Sequence, residues 1–291
     1  MIWKTYLFRK GANDMDLLKG LPPEVAKHLV ERSKGILETD EHCELHPRHL
    51  KMVLSNGEIV CPVCYGEVRD LKVSKDKAKE YYENSVDGRK AYLYKHSIVA
   101  GKNILHKGLK DFYARTEKEE AIQKRIKLLI DDVATGEAIN IFFQGEPGTG
   151  KSHLAMALMQ NANALANGKR FLFVNFPVLQ QRIRASYDNN FSEDSEASFI
   201  KQMIDADALV LDDIASEINP LTNQGNISSF ADRILYSVME GRAERKPTIF
   251  TSNITWDKLQ QFLDPRIVSR ISYRFNPVSF DGINDKRKVA K

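Results

Sequence analysis

Two hydrophobic periods alternate along the second half of the chain. From residue 117 a long stretch, EKEEAIQKRIKLLIDDVATGE, repeats its apolar residues at helical spacing and leads into the short apolar run Ile139-Asn-Ile-Phe-Phe143. Further strand-like runs follow at Phe171–Val174, Ala208–Leu211 and Thr248–Thr251, each separated from the next by a helical pattern. Such alternation predicts a parallel sheet with helices on both faces. The first third has a different texture. Leu21-Pro22-Pro23 opens a segment in which Val25, Ala26, Leu29 and Val30 recur at helical spacing. Residues 42–66 are turn-rich and carry Cys and His, and residues 70–99 are charged and tyrosine-rich, as expected of a solvated helix or linker. The change of pattern predicts two domains, 1–105 and 106–291. Internal repeats and low-complexity tracts are absent from the sequence.

Composition narrows the class. The 291 residues are 42% hydrophobic and 28% charged, which excludes wholesale disorder and fibrous chains. No apolar run approaches the ~18 residues of a membrane span, and the opening MIWKTYLFRK lacks the apolar core of a secretory signal, so a cytoplasmic protein without a membrane partner is expected. The net charge of +4 permits contact with nucleic acid without arguing for it. Three cysteines in a reducing compartment point to a metal site rather than a disulfide framework.

Candidate chemistry begins directly after the first strand. Gly145-Glu146-Pro147-Gly148-Thr149-Gly150-Lys151-Ser152 fits the phosphate-loop pattern G-x-x-x-x-G-K-[ST], and a helical pattern starting near His153 follows it. The glycines let backbone N–H groups approach phosphate oxygens, Lys151 would reach the β- and γ-phosphates of ATP or ADP, and the Ser152 hydroxyl would ligate Mg²⁺. His153, next in line, reads as a residue of the helix surface at the edge of this nucleotide-binding run.

The run Ala208–Leu211 ends in Asp212-Asp213, placed to hold the Mg²⁺ shell and to orient an attacking water, respectively. The last apolar run ends in Ser252-Asn253, whose amide could meet the γ-phosphate or that water. Arg266 and Arg270 are four apart and share one helical face, as an arginine finger for a neighbouring subunit's γ-phosphate would require. Arg287, in the basic tail, is either a second nucleotide sensor or part of a solvated, DNA-contacting end. Arg182, Arg184 and Tyr187 offer charge and stacking for single-stranded DNA, although Leu179 and Ile183 mark the same helix as a packing element.

A second constellation lies near the N-terminus. Cys43-x₂-His46 and, after fourteen intervening residues, Cys61-x₂-Cys64 form two tight pairs of ligands, as a structural tetrahedral zinc site requires. His42 and His49 offer the same donor as His46, so the fourth ligand is open among the three. Between the pairs, Asn56-Gly57 signals a hairpin.

The succession GEPGTGKS, LVLDDI, TSN and RIVSRI over residues 105–291 resembles the AAA+ ATPases of the DnaC/DnaI helicase-loader family. The resemblance implies an α/β, three-layered P-loop NTPase core with a parallel five-stranded sheet, joined to a small N-terminal zinc-binding domain. Lys151 and Ser152 would be the Walker A pair, Asp212 and Asp213 the Walker B pair, Asn253 the first sensor, Arg270 beside Arg266 the arginine finger, and Arg287 the second sensor. It further implies ATP, Mg²⁺ and Zn²⁺ as cofactors. Expected partners are a hexameric replicative helicase, single-stranded DNA and further copies of this chain, in the cytoplasm of a bacterium or of a virus's bacterial host. Many AAA+ proteins carry Asp-Glu at Walker B; the shorter Asp213 bears on hydrolysis rate rather than on binding. An IstB-type transposase-helper ATPase shares the core, and a non-hydrolysing ATP-binding adaptor is the alternative outside enzymology.

Overall fold

The computed structural model describes residues 37–54, 56–187, 195–218, 225 and 227–287. The helical pattern read at residues 21–30 lies outside the described residues. The chain divides into two compact units between Glu80 and Tyr81.

In the first unit, β1 (Leu37–His42), β2 (Leu50–Val53) and β3 (Ile59–Val60) form an antiparallel sheet in that order. The β2–β3 turn closes as Asn56-Gly57 predicts: Leu54 N–H donates to Glu58 O at 2.8 Å, and Gly57 takes φ 83°, a left-handed value that glycine adopts without steric cost. Helix α1 (Pro62–Asn84) follows and buries none of its residues.

The second unit is a parallel sheet of five strands, β4 (Asn140–Gln144), β5 (Phe171–Asn175), β6 (Ala208–Asp212), β7 (Thr248–Ser252) and β8 (Phe275–Ser279), in the order β5-β6-β7-β4-β8. The inner strands read as continuous apolar runs because both faces are covered. One layer holds α3 (Glu117–Thr135) and α4 (Lys151–Leu165), whose Ile126, Leu129, Leu154 and Leu158 pack with Ile141, Phe143, Val210 and Ile249. The other holds α5 (Phe176–Ser186), α6 (Glu196–Asp205), α7 (Ser229–Arg242), α8 (Trp256–Leu259) and α9 (Pro265–Ile271), packed on Phe142, Leu209, Leu211 and Phe250. Helix α3 is bounded by its own sequence: Thr116 caps its N-terminus and Gly136, at φ 88°, ends it.

One expectation changes, and one strand carries no sequence signal. The boundary expected at 105/106 moves to 80/81, because α2 (Val86–His96) buries Leu93 completely and Ile98 bridges to Val174 in parallel. Ile98 N–H donates to Phe173 O at 2.8 Å and its carbonyl accepts from Asn175 N–H at 2.7 Å, so residues before 106 extend the sheet edge. Strand β8 has no apolar run of its own. Its sequence FNPVS carries Pro277, which an edge strand tolerates because one side of its ladder is open.

Candidate nucleotide site and metal centre

All five strands of the second unit are parallel, so their C-terminal ends meet at one side. Each closes on a polar residue: Gln144, Asn175, Asp212, Ser252 and Ser279. A parallel sheet binds ligands in the crevice beyond these ends. Here the crevice is a cleft of about 460 Å³.

Its floor is the phosphate loop between β4 and α4. Gly145, Gly148 and Gly150 have φ of 144°, 83° and 99°. A Cβ on Gly150 would stand 2.7 Å from the Phe112 ring, so glycine is required there both for its backbone and for this close approach. Thr149 Oγ1 donates to Glu146 O at 2.9 Å and staples the loop. Lys151, almost fully buried, donates from Nζ to the carbonyls of Gly145 and Glu146 at 2.7 and 2.8 Å. Burial lowers its pKa to about 8, against the opposing pull of Asp213 and Asp212. Pro147, Gly148, Lys151 and Ser152 line the cleft.

The opposite wall carries the carboxylates. Asp212, 4% exposed, accepts from Asn175 Nδ2 at 3.0 Å and from Thr251 Oγ1 at 2.8 Å. Asp213 sits at φ 61°, strained for a residue with a Cβ, and its N–H donates to the same Thr251 hydroxyl at 2.8 Å. Asn253 Nδ2 donates to Asp213 Oδ1 at 2.8 Å. Burial and the charge of Asp212 raise the Asp213 carboxyl, and Lys151 opposes them. Lys151, Ser152, Asp212, Asp213 and Asn253 thus share one cleft. Strand-end polarity was the available signal for Asn175 and Thr251, which the motifs alone do not single out.

His153 departs from the surface reading. It is half-buried, lines the cleft, and pairs Nε2 with Gly108 O at 2.9 Å while its ring meets Phe112 edge-on. A carbonyl only accepts, so Nε2 carries the proton, and burial lowers the ring's pKa. Arg287 also lines the cleft, with its guanidinium on Asp285 at 3.1 and 3.3 Å.

Arg266 and Arg270 do not line this cleft. On α9 they both lie over the Tyr236 ring, at 4.5 and 5.0 Å; Arg266 grips Asp264 through two hydrogen bonds and Arg270 pairs with Glu240. Helix α5 packs through Leu179 and Ile183 and exposes Arg182, Arg184 and Tyr187. Arg184 covers the Phe230 ring and the Tyr187 phenol donates to Glu196.

In the first unit, Cys43, His46, Cys61 and Cys64 bring their ligand atoms within 4.8 Å of one another. Zinc–sulfur bonds of about 2.3 Å and zinc–nitrogen bonds of about 2.0–2.1 Å require tetrahedral edges of about 3.8 Å between sulfurs and about 3.6 Å from sulfur to nitrogen. The Cys43–Cys64 sulfurs are 3.7 Å apart, and His46 Nδ1 lies 3.8, 3.8 and 3.2 Å from the sulfurs of Cys43, Cys61 and Cys64. The donor set fits zinc, and of the three candidate histidines it is His46 that joins the cluster. Glu67 Oε1 stands 4.0 Å from His46 Nε2, beside the ring nitrogen that faces away from the sulfurs.

Residues 82–276 match the sequence profile of the IstB-like ATP binding protein, over more than half of the chain. The chain belongs to that family. This IstB-like member is 25% identical over 162 residues to the uncharacterized protein YdaV of Escherichia coli K12, covering 56% of this chain and 60% of YdaV. It is 25% identical over 136 residues to the replicative helicase loader DnaC of the same organism, covering 47% and 51%. The chain therefore spans between about half and three-fifths of the length of these curated relatives. Among solved structures, the DnaC helicase loader superposes with a TM-score of 0.51 at 21% identity over 62% of this chain and 99% of that one. DnaI gives 0.50 at 20% identity over 63% and 95%. The expected resemblance to DnaC/DnaI-type loaders is borne out, and so is the α/β core with its five-stranded parallel sheet. Among the described residues no helix is long and apolar enough to cross a membrane.

Proposed function

We propose that this protein is an ATP-hydrolysing loader that delivers a replicative DNA helicase onto single-stranded DNA. The observation that carries the reading is the single cleft in which Asn253 holds Asp213 beside Asp212, Lys151 and Ser152. Lys151 would bind the β- and γ-phosphates, while Ser152 and Asp212 would hold Mg²⁺, which neutralises charge on the phosphates when bound. Asn175 and Thr251 fix the Asp212 carboxylate in place for that task. Asp213, its carboxyl raised by burial and by the charge of Asp212, orients the attacking water, with Asn253 fixing its rotamer.

Arg270, with Arg266 beside it, would serve the γ-phosphate of a neighbouring copy, which accords with both lying outside this copy's cleft. ATP then favours the assembled state and hydrolysis releases it. The Cys/His unit, holding zinc, would engage the helicase, and the exposed Arg182 and Arg184 would contact single-stranded DNA. The DnaC relatives support this choice.

A second reading, an IstB-type transposase-helper ATPase, is favoured by the family match itself. One experiment separates the readings. The full chain, co-expressed with a replicative helicase, should co-purify with it and show DNA-stimulated ATPase activity that Asp213→Asn abolishes. Cys61→Ser should lose the helicase and retain nucleotide binding. ATPase activity without helicase capture would favour the transposase-helper reading, and function retained in Asp213→Asn would leave only a non-hydrolysing adaptor.

A further inference from the structure

Beyond β8 the chain turns back across the phosphate loop. Phe280 N–H donates to Gln144 O at 2.7 Å, and the fully buried Phe280 side chain occupies the space a Cβ on Gly145 would need, 2.8 Å away. Gly282, at φ 73°, reverses the chain and Ile283 is buried again. Lys286 N–H then donates to Gly148 O at 2.9 Å, and the Asp285 carboxylate lies so close that a Cβ on Gly148 would stand 2.1 Å from it.

The Lys286 side chain turns the other way. Its ammonium pairs with Glu119 at 2.5 Å, donates to Tyr113 O at 3.0 Å and sits 4.8 Å over the Phe112 ring, the ring that abuts Gly150. Glu119 is 3% exposed and also accepts from Arg115 N–H at 2.6 Å. Burial raises the Glu119 carboxyl, but Lys286 and the N–H groups of Arg115 and Thr116 outweigh it and hold it below the ordinary carboxylate range. One residue therefore ties the phosphate loop, through its backbone, to the start of α3, through an ion pair whose carboxylate is buried and whose ammonium is partly exposed. Removing Lys286 would leave the buried Glu119 carboxylate without its cation, so the tie is firm.

We propose that residues 280–287 form a strap on the phosphate loop and that Lys286 is its positioning residue, the Glu119–Lys286 pair holding the loop in the shape that accepts a nucleotide's polyphosphate. Lys286 is committed to Glu119 and acts through Gly148 rather than as a phosphate ligand. The inference rests on the reading of the cleft as an ATP site. It differs from the second-sensor expectation for Arg287, because the strap bears on the loop itself and treats ATP and ADP alike.

The test measures Mg²⁺-nucleotide affinity with a fluorescent ATP and a fluorescent ADP on the full chain, together with amide hydrogen exchange of the peptide containing Gly148 in nucleotide-free protein. Lys286→Met and Glu119→Gln should each weaken ATP and ADP by the same factor, about tenfold or more, since a loop displaced by a fraction of an ångström loses aligned contacts. Exchange at Gly148 should accelerate in both variants. Lys286→Arg, which keeps the cation, should stay within about twofold of wild type. Should Glu119→Gln unfold, Lys286→Met decides, because Lys286 is partly exposed and the Glu119 carboxyl it leaves still accepts from Arg115 N–H.

Unchanged affinity and exchange in Lys286→Met would overturn the strap. So would a loss confined to ATP, which would make Lys286 a γ-phosphate ligand. If wild-type protein and Lys151→Ala both fail to bind nucleotide, the reading of the cleft falls, and the exchange data still judge the strap.

Discussion

Among the described residues from Thr39 to Glu80, Cys43 and Cys61 alone are buried; from Tyr81 onward two apolar layers enclose a sheet whose inner strands are fully covered. In the first unit the reactive side chains stand where a core would be, so the chemistry holds the fold. In the second the core stands first, and the reactive side chains lie at the rim it creates, so the fold holds the chemistry. The two should therefore fail differently.

The largest expected effect follows from removing the zinc proposed for the Cys/His cluster. Structural zinc contributes about 10–16 kcal/mol of apparent binding free energy at neutral pH, as much as a whole domain's stability. Chelation, or Cys61→Ser, should abolish the β1–β3 fold as seen by NMR dispersion while nucleotide affinity at the cleft stays unchanged. A first unit that stays folded without metal would break the comparison at its root.

Next comes the opposite experiment. Phe250 lies fully buried on β7, 6.3 Å from Phe142. Truncating such a residue costs about 3–5 kcal/mol, so Phe250→Ala should lower the denaturant midpoint of the second unit and leave the zinc content of the first intact. Metal lost together with the core would mean that the units do not fold independently.

The contrast also explains what the sequence could reveal. The phosphate loop and the Cys/His pairs are local patterns whose chemistry dictates their spacing, so Lys151, Ser152, Cys43 and Cys64 could be found without a structure. Asp212-Asp213 and Asn253 were legible because each ends an apolar run. Thr251, Asn175, Glu119 and Lys286 act through contacts between residues far apart in sequence; the polar strand ends hint at the first two, and nothing local marks the others. Strand β8 escaped because Pro277 interrupts its pattern, and the division at residue 80 because charged α2 hides the buried Leu93 within a polar surface.

Thr251 gives a finer probe of the second unit. Its hydroxyl donates to Asp212 and accepts from Asp213 N–H, so Thr251→Val keeps the shape and orphans two buried groups, at about 1–3 kcal/mol. Because the side chain holds a carboxylate rather than the nucleotide, Mg²⁺-dependent ATP affinity should fall while Mg²⁺-free affinity is kept. Thr251→Ser should restore both. An equal loss with and without Mg²⁺ would show that the hydroxyl supports the sheet and not the carboxylate.

The smallest effect is expected at Glu67. Its carboxylate, 4.0 Å from His46 Nε2, favours a proton on that nitrogen and so presents Nδ1, the atom nearest the three sulfurs, as the ligand. Partners of this kind change metal affinity by about 10–100-fold, and a side chain as exposed as this one belongs at the low end of that range. Glu67→Gln should weaken zinc binding about tenfold in competition with a chromophoric chelator, with the folded holo spectrum unchanged. A larger loss would mean that the unit depends on more than its four ligands. No loss would mean that the two knuckles alone orient His46, and that the first unit carries all its stability in the metal bonds themselves.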